Sequence, residues 1–248
     1  MNSRLNTLLF KINSYPRYIS AGVLKWIAII TMFIDHVGAG ILRRGFTKSS
    51  VLVYDVYRVL RLVGRVSFPI FCFLLVEGYL HTGSRKKYAL SMLIFAFLSE
   101  IPFDMCFYGE LEIQSQNVYF TLFLGLLAMC VAGYLEEKKV PGYIVWQVIV
   151  FGLTAGLAYL LKTDYSYKGI GLIAVLFLFR DNRLFQCILG AIACAYGKTA
   201  PLAFIFVWLY NGKRSRGKVN KYIYYAVYPV HLMLFYAIHE WLYALCFG

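Results

Sequence analysis

From residue 20 to residue 246 the chain is a succession of apolar stretches joined by short loops rich in Lys and Arg. Most of these stretches are long enough to cross a lipid bilayer, and a helix is the local structure that satisfies their backbone hydrogen bonds from within. Hydrophobic residues make up 60% of the 248 and charged residues 15%, with a mean hydropathy of +0.65. No soluble domain needs that much apolar surface. The expected fold is an all-α, polytopic transmembrane helical bundle of about nine spans, within a range of about eight to ten, forming a single domain over residues 20–248. Residues 1–19, with Arg4, Lys11 and Arg17, read as a cytoplasmic amphipathic lead-in. They hold no apolar run and no signal-peptide cleavage site, so the first span is expected to be retained.

The spans fall at 20–42, 66–81, 88–107, 117–135, 141–161, 169–179, 184–196, 200–211 and 221–246. Residues 43–56 read as an outer loop. The stretch 57–65 carries Arg58, Arg61 and Arg65 at i, i+3 and i+7, one basic stripe on a helix. Spans six to eight are short for a bilayer core of roughly 30 Å. With the N-terminus in the cytoplasm, sixteen of the 25 Lys and Arg fall on the cytoplasmic side. Clusters at 85–87, 138–139 and 213–221 then agree, Glu110 and Glu112 lie opposite, and nine crossings leave the C-terminus outside. The same loop distribution accounts for the net charge of +13 without a nucleic-acid partner. The six cysteines lie within or beside apolar spans and form no CxxC motif. They read as reduced packing residues, and no metal site is predicted.

Polar residues inside the spans are the informative set, because each is costly there and faces a bundle interior or a polar cavity. In the first span, LKWIAIITMFIDH (24–36), Lys25 and His36 share nearly one helix face about 16 Å apart in depth. Asp35 diverges from His36 by about 100°, which suits a pairing with an arginine of the 58–65 stripe. A histidine near neutral pKa can take a proton from an amine or hydroxyl nucleophile. A snorkelling lysine beside a structural Asp-His pair is the plainer alternative. Glu77 and His81 stand at i and i+4 and can share a proton, or form a solvated helix end. Cys72 reads as packing, since an apolar setting disfavours its thiolate. Glu100 and Asp104 flank Pro102, whose missing N–H frees a carbonyl and bends the helix, opening a notch or a kink neutralised by arginine. Asn117 and Thr121 face that region, and YYAVYPVH places Tyr228 and His231 about ten residues into the last span. His239 and Glu240 read as interfacial. Arg85, Lys86, Lys87 and Arg214 suit phosphate binding or membrane topology alone. No P-loop, GxGxxG, HExxH or nucleophile elbow is present.

Five stretches in order, LKWIAIITMFIDHVGA (24–39), LRLVGRVSFPIFCFLLVEGYLHT (60–82), SEIPFDMCF (99–107), NVYFTLFLGLL (117–127) and YYAVYPVHL (224–232), resemble the TraX family. That family takes its name from a conjugation protein that acetylates the amino terminus of pilin subunits. It is similar to the type-three membrane acyltransferase superfamily, whose first span carries a basic residue, ten intervening residues and a catalytic histidine. Lys25 and His36 reproduce that spacing, with lysine for the usual arginine. FCFLLVEGYL (71–80) is similar to a second signature, with Glu77 where serine is usual.

The resemblance implies an acyltransferase of the bacterial inner membrane. It would use cytoplasmic acyl-CoA, most simply acetyl-CoA, as a co-substrate with no permanently bound cofactor. The acceptor is a protein, glycan or lipid at or beyond the membrane, and the oligomeric state is left open. On this expectation His36 is the general base, with Asp35 orienting or tuning it. Lys25, Arg61, Arg65, Arg85 and Lys86 serve the donor, Arg61 or Arg65 steadying the oxyanion. Glu77, His81, Glu100, Asp104, Asn117, Tyr228 and His231 serve the acceptor or a proton relay. A proton-coupled transporter or flippase, and a non-catalytic scaffold of envelope assembly, are the competing classes.

Overall fold

The computed structural model describes residues 17–48, 50–213 and 221–247. The described residues are dominated by helices: α1 (Ala21–His36), α2 (Val51–Gly64), α3 (Ser67–His81), α4 (Arg85–Phe107), α5 (Val118–Glu137), α6 (Tyr143–Leu160), α7 (Ser166–Leu178), α8 (Arg183–Ala193), α9 (Ala203–Trp208) and α10 (Lys221–Phe247). Extended structure among them amounts to two isolated bridges, Ile19 with Tyr210 and Gln116 with Thr163. Among the described residues, five helical stretches are long and apolar enough to cross a membrane: Ala21–Leu42, Val51–His81, Arg85–Phe107, Val118–Glu137 and Tyr143–Leu160. Most of the lead-in expected at 1–19, and Arg214 with the rest of the basic loop to 220, lie outside the described residues.

Each apolar stretch foreseen as a span is helical, although the eighth is only a 3-10 turn (Ala200–Leu202) followed by the six residues of α9. One boundary differs. Residues 51–56, expected in an outer loop, form the first turns of α2. The cause is local: Ser50 is extended, and its side chain accepts a hydrogen bond from Leu52 N at 3.2 Å, capping a run of apolar residues. Ser20, Ser84, Asn117 and Asn182 cap α1, α4, α5 and α8 in the same manner.

The turns divide between two ends of the bundle. At one end Ile19 N donates to Leu209 O and Ala21 N to Lys213 O, both at 3.0 Å. Arg85 pairs with Glu137 at 2.7 Å and Arg180 with Glu136 at 2.5 Å at that end. At the opposite end Arg44 pairs with Glu240 at 3.0 Å. There Thr199 Oγ1 donates to Leu62 O at 2.5 Å, and Asp164 N to Gln116 O at 2.7 Å. Between them α3 is the central helix. It packs on α1, α5, α7 and α9 and buries Phe68, Ile70, Cys72, Phe73, Leu75, Val76 and Tyr79.

Beyond His36, α1 widens into a π-helical turn, Val37–Leu42. The sequence of this turn, VGAGIL, lets neighbouring helices close in. A Cβ on Gly40 would stand 2.5 Å from Cys106 Sγ on α4. The buried His239 of α10, expected at an interface, instead has its Nδ1 2.9 Å from Ile41 O and donates to it. We expect Gly40→Ala to lower stability in detergent by about 1–3 kcal/mol through overpacking. Adding Cys106→Ala should return most of that loss in a thermal-unfolding measurement, because the next contact of the new methyl group lies 3.7 Å away.

Candidate active site

The far end of α1 carries two polar residues in succession, and the structure sends them to different partners. Asp35, 9% exposed, forms an ion pair with Arg61 of α2. The helices approach closely because Gly64 is opposite: a Cβ there would lie 2.1 Å from that of Asp35. The second carboxylate oxygen, Oδ1, is buried without a hydrogen-bond partner.

His36 turns toward α10. Its Nδ1 lies 2.6 Å from His231 Nε2, and the two rings stack with centroids 4.9 Å apart and an angle of 5° between planes. His231 Nδ1 is 2.6 Å from Val227 O. A carbonyl can only accept, so His231 Nδ1 carries a proton and, in the neutral ring, Nε2 is the acceptor. The proton of that bond therefore belongs to His36 Nδ1, and His36 Nε2 is left with its lone pair. Phe33 stacks on His231 at 4.4 Å from the other helix. The backbone on which His231 sits is also tied. Pro229 has no N–H to offer the carbonyl four residues earlier, Tyr225 O, and the Tyr119 hydroxyl donates to that oxygen at 3.0 Å.

His36 lines a cavity of about 160 Å³ together with Asp35, Arg43, Arg61, Arg65, Ser67, Phe107, Tyr108, Asp164, Tyr165 and Tyr228. A second cavity of about 630 Å³ shares Arg61, Arg65, Asp164 and Tyr165 with it. Tyr165 lies flat on Phe68, centroids 3.5 Å apart. Burial pushes the Asp164 carboxyl, in the loop between α6 and α7, up to about 6 against the pull of Arg61 and Arg65.

Of the residues singled out in the sequence, Asp35, His36, Arg61, Arg65, Tyr228 and His231 come together here. Lys25 lies toward the other end of α1, its Nζ 3.9 Å from the centre of the Tyr224 ring. Arg85, ion-paired to Glu137, and the exposed Lys86 belong to that end as well. So do Glu77, 3.9 Å from Arg183, and His81, whose Nδ1 donates to Glu77 O at 2.8 Å. Glu100 and Asn117 bond to one another, and Asn117 Nδ2 also donates to Ala96 O at 2.8 Å, fastening α5 to α4. Asp104 accepts from Glu112 N at 3.2 Å and holds the loop between those helices. Thr121 bonds Thr163 at 3.0 Å and also donates to Asp164 O. Asp164, Tyr165 and Gly64 are additions that the sequence did not disclose. An acidic residue in the brief KTDYSYKG connection was the available signal.

These features define a polytopic helical membrane protein with a histidine pair and a buried Asp–Arg pair beside a polar cavity. The chain belongs to the TraX family: the family model described as TraX protein matches residues 20–239. It is also similar to a protein of Dichelobacter nodosus named probable fimbrial assembly protein FimC, serogroup H1, with 29% identity over 238 residues, 87% of this chain and 93% of the relative. No solved structure matches the chain.

Replacing Arg61 strands the Asp35 carboxylate in the bundle, and breaking such a pair from one side costs about 3 kcal/mol. Arg58, exposed on the same helix, is the control. Thermal unfolding in detergent should show a large loss for Arg61→Met and little for Arg58→Met.

Proposed function

We propose that the protein is an integral membrane acyltransferase that moves an acetyl group from cytoplasmic acetyl-CoA to an amine or hydroxyl of an envelope-associated acceptor. The observation that carries this reading is the hydrogen-bond chain from His36 through His231 to Val227 O. It leaves an unprotonated Nε2 on a side chain that lines a cavity with three arginines, Arg43, Arg61 and Arg65. A general base needs that lone pair, and a developing oxyanion needs those cations.

In the proposed reaction the acceptor nitrogen or oxygen attacks the thioester carbonyl carbon while His36 Nε2 takes its proton. Arg65, with Arg61 behind it, stabilises the tetrahedral oxyanion. Collapse breaks the C–S bond, and the proton passes from His36 to the leaving sulfur, so that acetylated acceptor and CoA are the products. His231 acts as a positioning residue: it sets the His36 tautomer and carries part of the positive charge when His36 is protonated. The family membership and the relative named for fimbrial assembly support an acceptor of the cell envelope, pilin among them.

The donor reaches His36 from the other end of α1. Lys25 stands eleven residues earlier, about 16 Å along the helix, a distance an extended pantetheine arm can span. The exposed Lys86 and the basic turn around it receive the phosphates. The division of the turns between two ends supports nine crossings, and the excess of Lys and Arg at the Lys25 end supports a cytoplasmic N-terminus in a bacterial inner membrane.

Purified protein in lipid nanodiscs with radiolabelled acetyl-CoA and a cell-envelope extract as acceptor should release CoA. His36→Gln should reduce release by about a hundredfold or more, and Lys25→Ala should raise the KM for acetyl-CoA with kcat little changed. A folded His36→Gln protein with full release overturns the assignment. Label retained on the wild-type chain replaces direct transfer by an acyl-enzyme, and absence of acetyl-CoA binding favours a transporter.

A further inference from the structure

The larger cavity touches the catalytic residues only along its inner wall, and the rest of its lining has no part in the chemistry above. Arg58, Lys168 and Lys198 stand around it with Tyr57, Tyr167 and Tyr196, and Asp164 is its one acidic residue. Arg61 is already paired to Asp35. Among the described residues, Arg58, Arg65, Lys168 and Lys198 have no carboxylate within 4.0 Å. Four cations held around one opening against a single carboxylate repel one another and attract an anion.

Membrane topology does not account for this cluster. The cavity opens at the His36 end, which in the proposed orientation faces away from the cytoplasm, where Lys and Arg are otherwise the minority. The lining backbone is unusual too. Tyr165, Ser166 and Lys198 have φ of +61°, +46° and +58°, a conformation costly for side chains other than glycine and concentrated at functional sites. Lys168 Nζ lies 4.9 Å from the Tyr196 ring and 5.8 Å from the Tyr167 ring, so the aromatic and cationic groups form one surface. A volume of about 630 Å³ is that of a site for a ligand of several rings.

Resting on the acyltransferase reading, we propose that this cavity is the acceptor site and that its acceptor is an acidic saccharide. The carboxylate or phosphate of the saccharide lies among Arg58, Lys168 and Lys198, its rings lie against the tyrosines, and a hydroxyl reaches His36 past Arg65 and Tyr165. A hydroxyl nucleophile carries no charge of its own, and the acid group of its saccharide is attracted by the surrounding cations. Polar tyrosine edges and guanidinium donors also match the dense hydroxyls of a sugar.

The test uses the full chain in nanodiscs with acetyl-CoA and four probes: a trigalacturonate, a glycosyl phosphodiester of matching length, a neutral galactose trisaccharide and an acidic peptide with a free amino terminus. Acetylation of one or both acidic saccharides, with little of the neutral one, is expected, and the probe preferred tells carboxylate from phosphate. The triple variant Arg58→Gln, Lys168→Gln, Lys198→Gln should raise the KM for the acidic saccharide roughly ten- to a hundredfold. It should leave the affinity for acetyl-CoA unchanged. High salt should reproduce part of that rise with the wild-type chain, an arm that does not depend on the variant folding. Equal use of neutral and acidic saccharides, acetylation of the peptide amine alone, or a triple variant indistinguishable from wild type overturns the proposal. In each of those results the acyltransferase reading stands if His36→Gln still abolishes CoA release. Wild-type protein that releases no CoA with any probe overturns this proposal, and wild-type protein that also binds no acetyl-CoA removes the acyltransferase reading with it.

Discussion

Neighbouring residues on an α-helix point about 100° apart, and at the end of α1 that divergence lets one turn hold two other helices. Asp35 ties α2 through Arg61, and His36 ties α10 through His231. Both ties are polar contacts in an apolar bundle, where an unpaired group is expensive and a paired one is therefore restrictive. Because the two anchors are adjacent, α1 cannot rotate to improve one without loosening the other. The small cavity lies where these commitments meet, and its shape follows from them. In the π-helical turn that follows, Gly38 admits α2, and Gly40 admits α4 and α10, at short range.

Much of this architecture was legible in the chain itself. Apolar runs and basic loops marked nearly every helix within a few residues, because a bilayer leaves the backbone few alternatives. The start of α2 was missed because Asp55 and Arg58 interrupt its apolar pattern, while the Ser50 cap that determines it is a single side-chain contact. At the site, the turn of about 100° between Asp35 and His36 was enough to foresee a partner for the acid on the 58–65 stripe, and Arg61 is that partner. The bond between His36 and His231 was not legible: 195 positions separate the two, and only packing of the first and last helices brings them together. Asp164 and Tyr165 escaped for a different reason. Loop residues carry no periodicity, and their significance comes from the helices that converge around them.

The other intramembrane polar residues divide by end and by task. Glu100, Asn117, Asp104 and Thr121 are consumed in fastening α4, α5 and the loop before α7. Glu77 and Arg85 lie at the end of the bundle remote from His36. Polarity inside the bundle thus has two separate uses. One set of groups closes the scaffold, and the other surrounds a space in which a small molecule can react.

The helices are also unequal in length. α4 and α10 have 23 and 27 residues, whereas α7 and α8 have 13 and 11. At 1.5 Å per residue, α7 reaches only about 20 Å. The lipid-facing neighbour is the still shorter α8, with Phe185, Ile188 and Ile192 exposed, and a bilayer that thins to meet it does so beside the large basic cavity, at the start of α7 and just beyond α8. Thinning there would bring the aqueous phase nearer the reactive end of α1 on that flank. The acyl-chain length of the surrounding lipid would then bear on how closely water approaches the site.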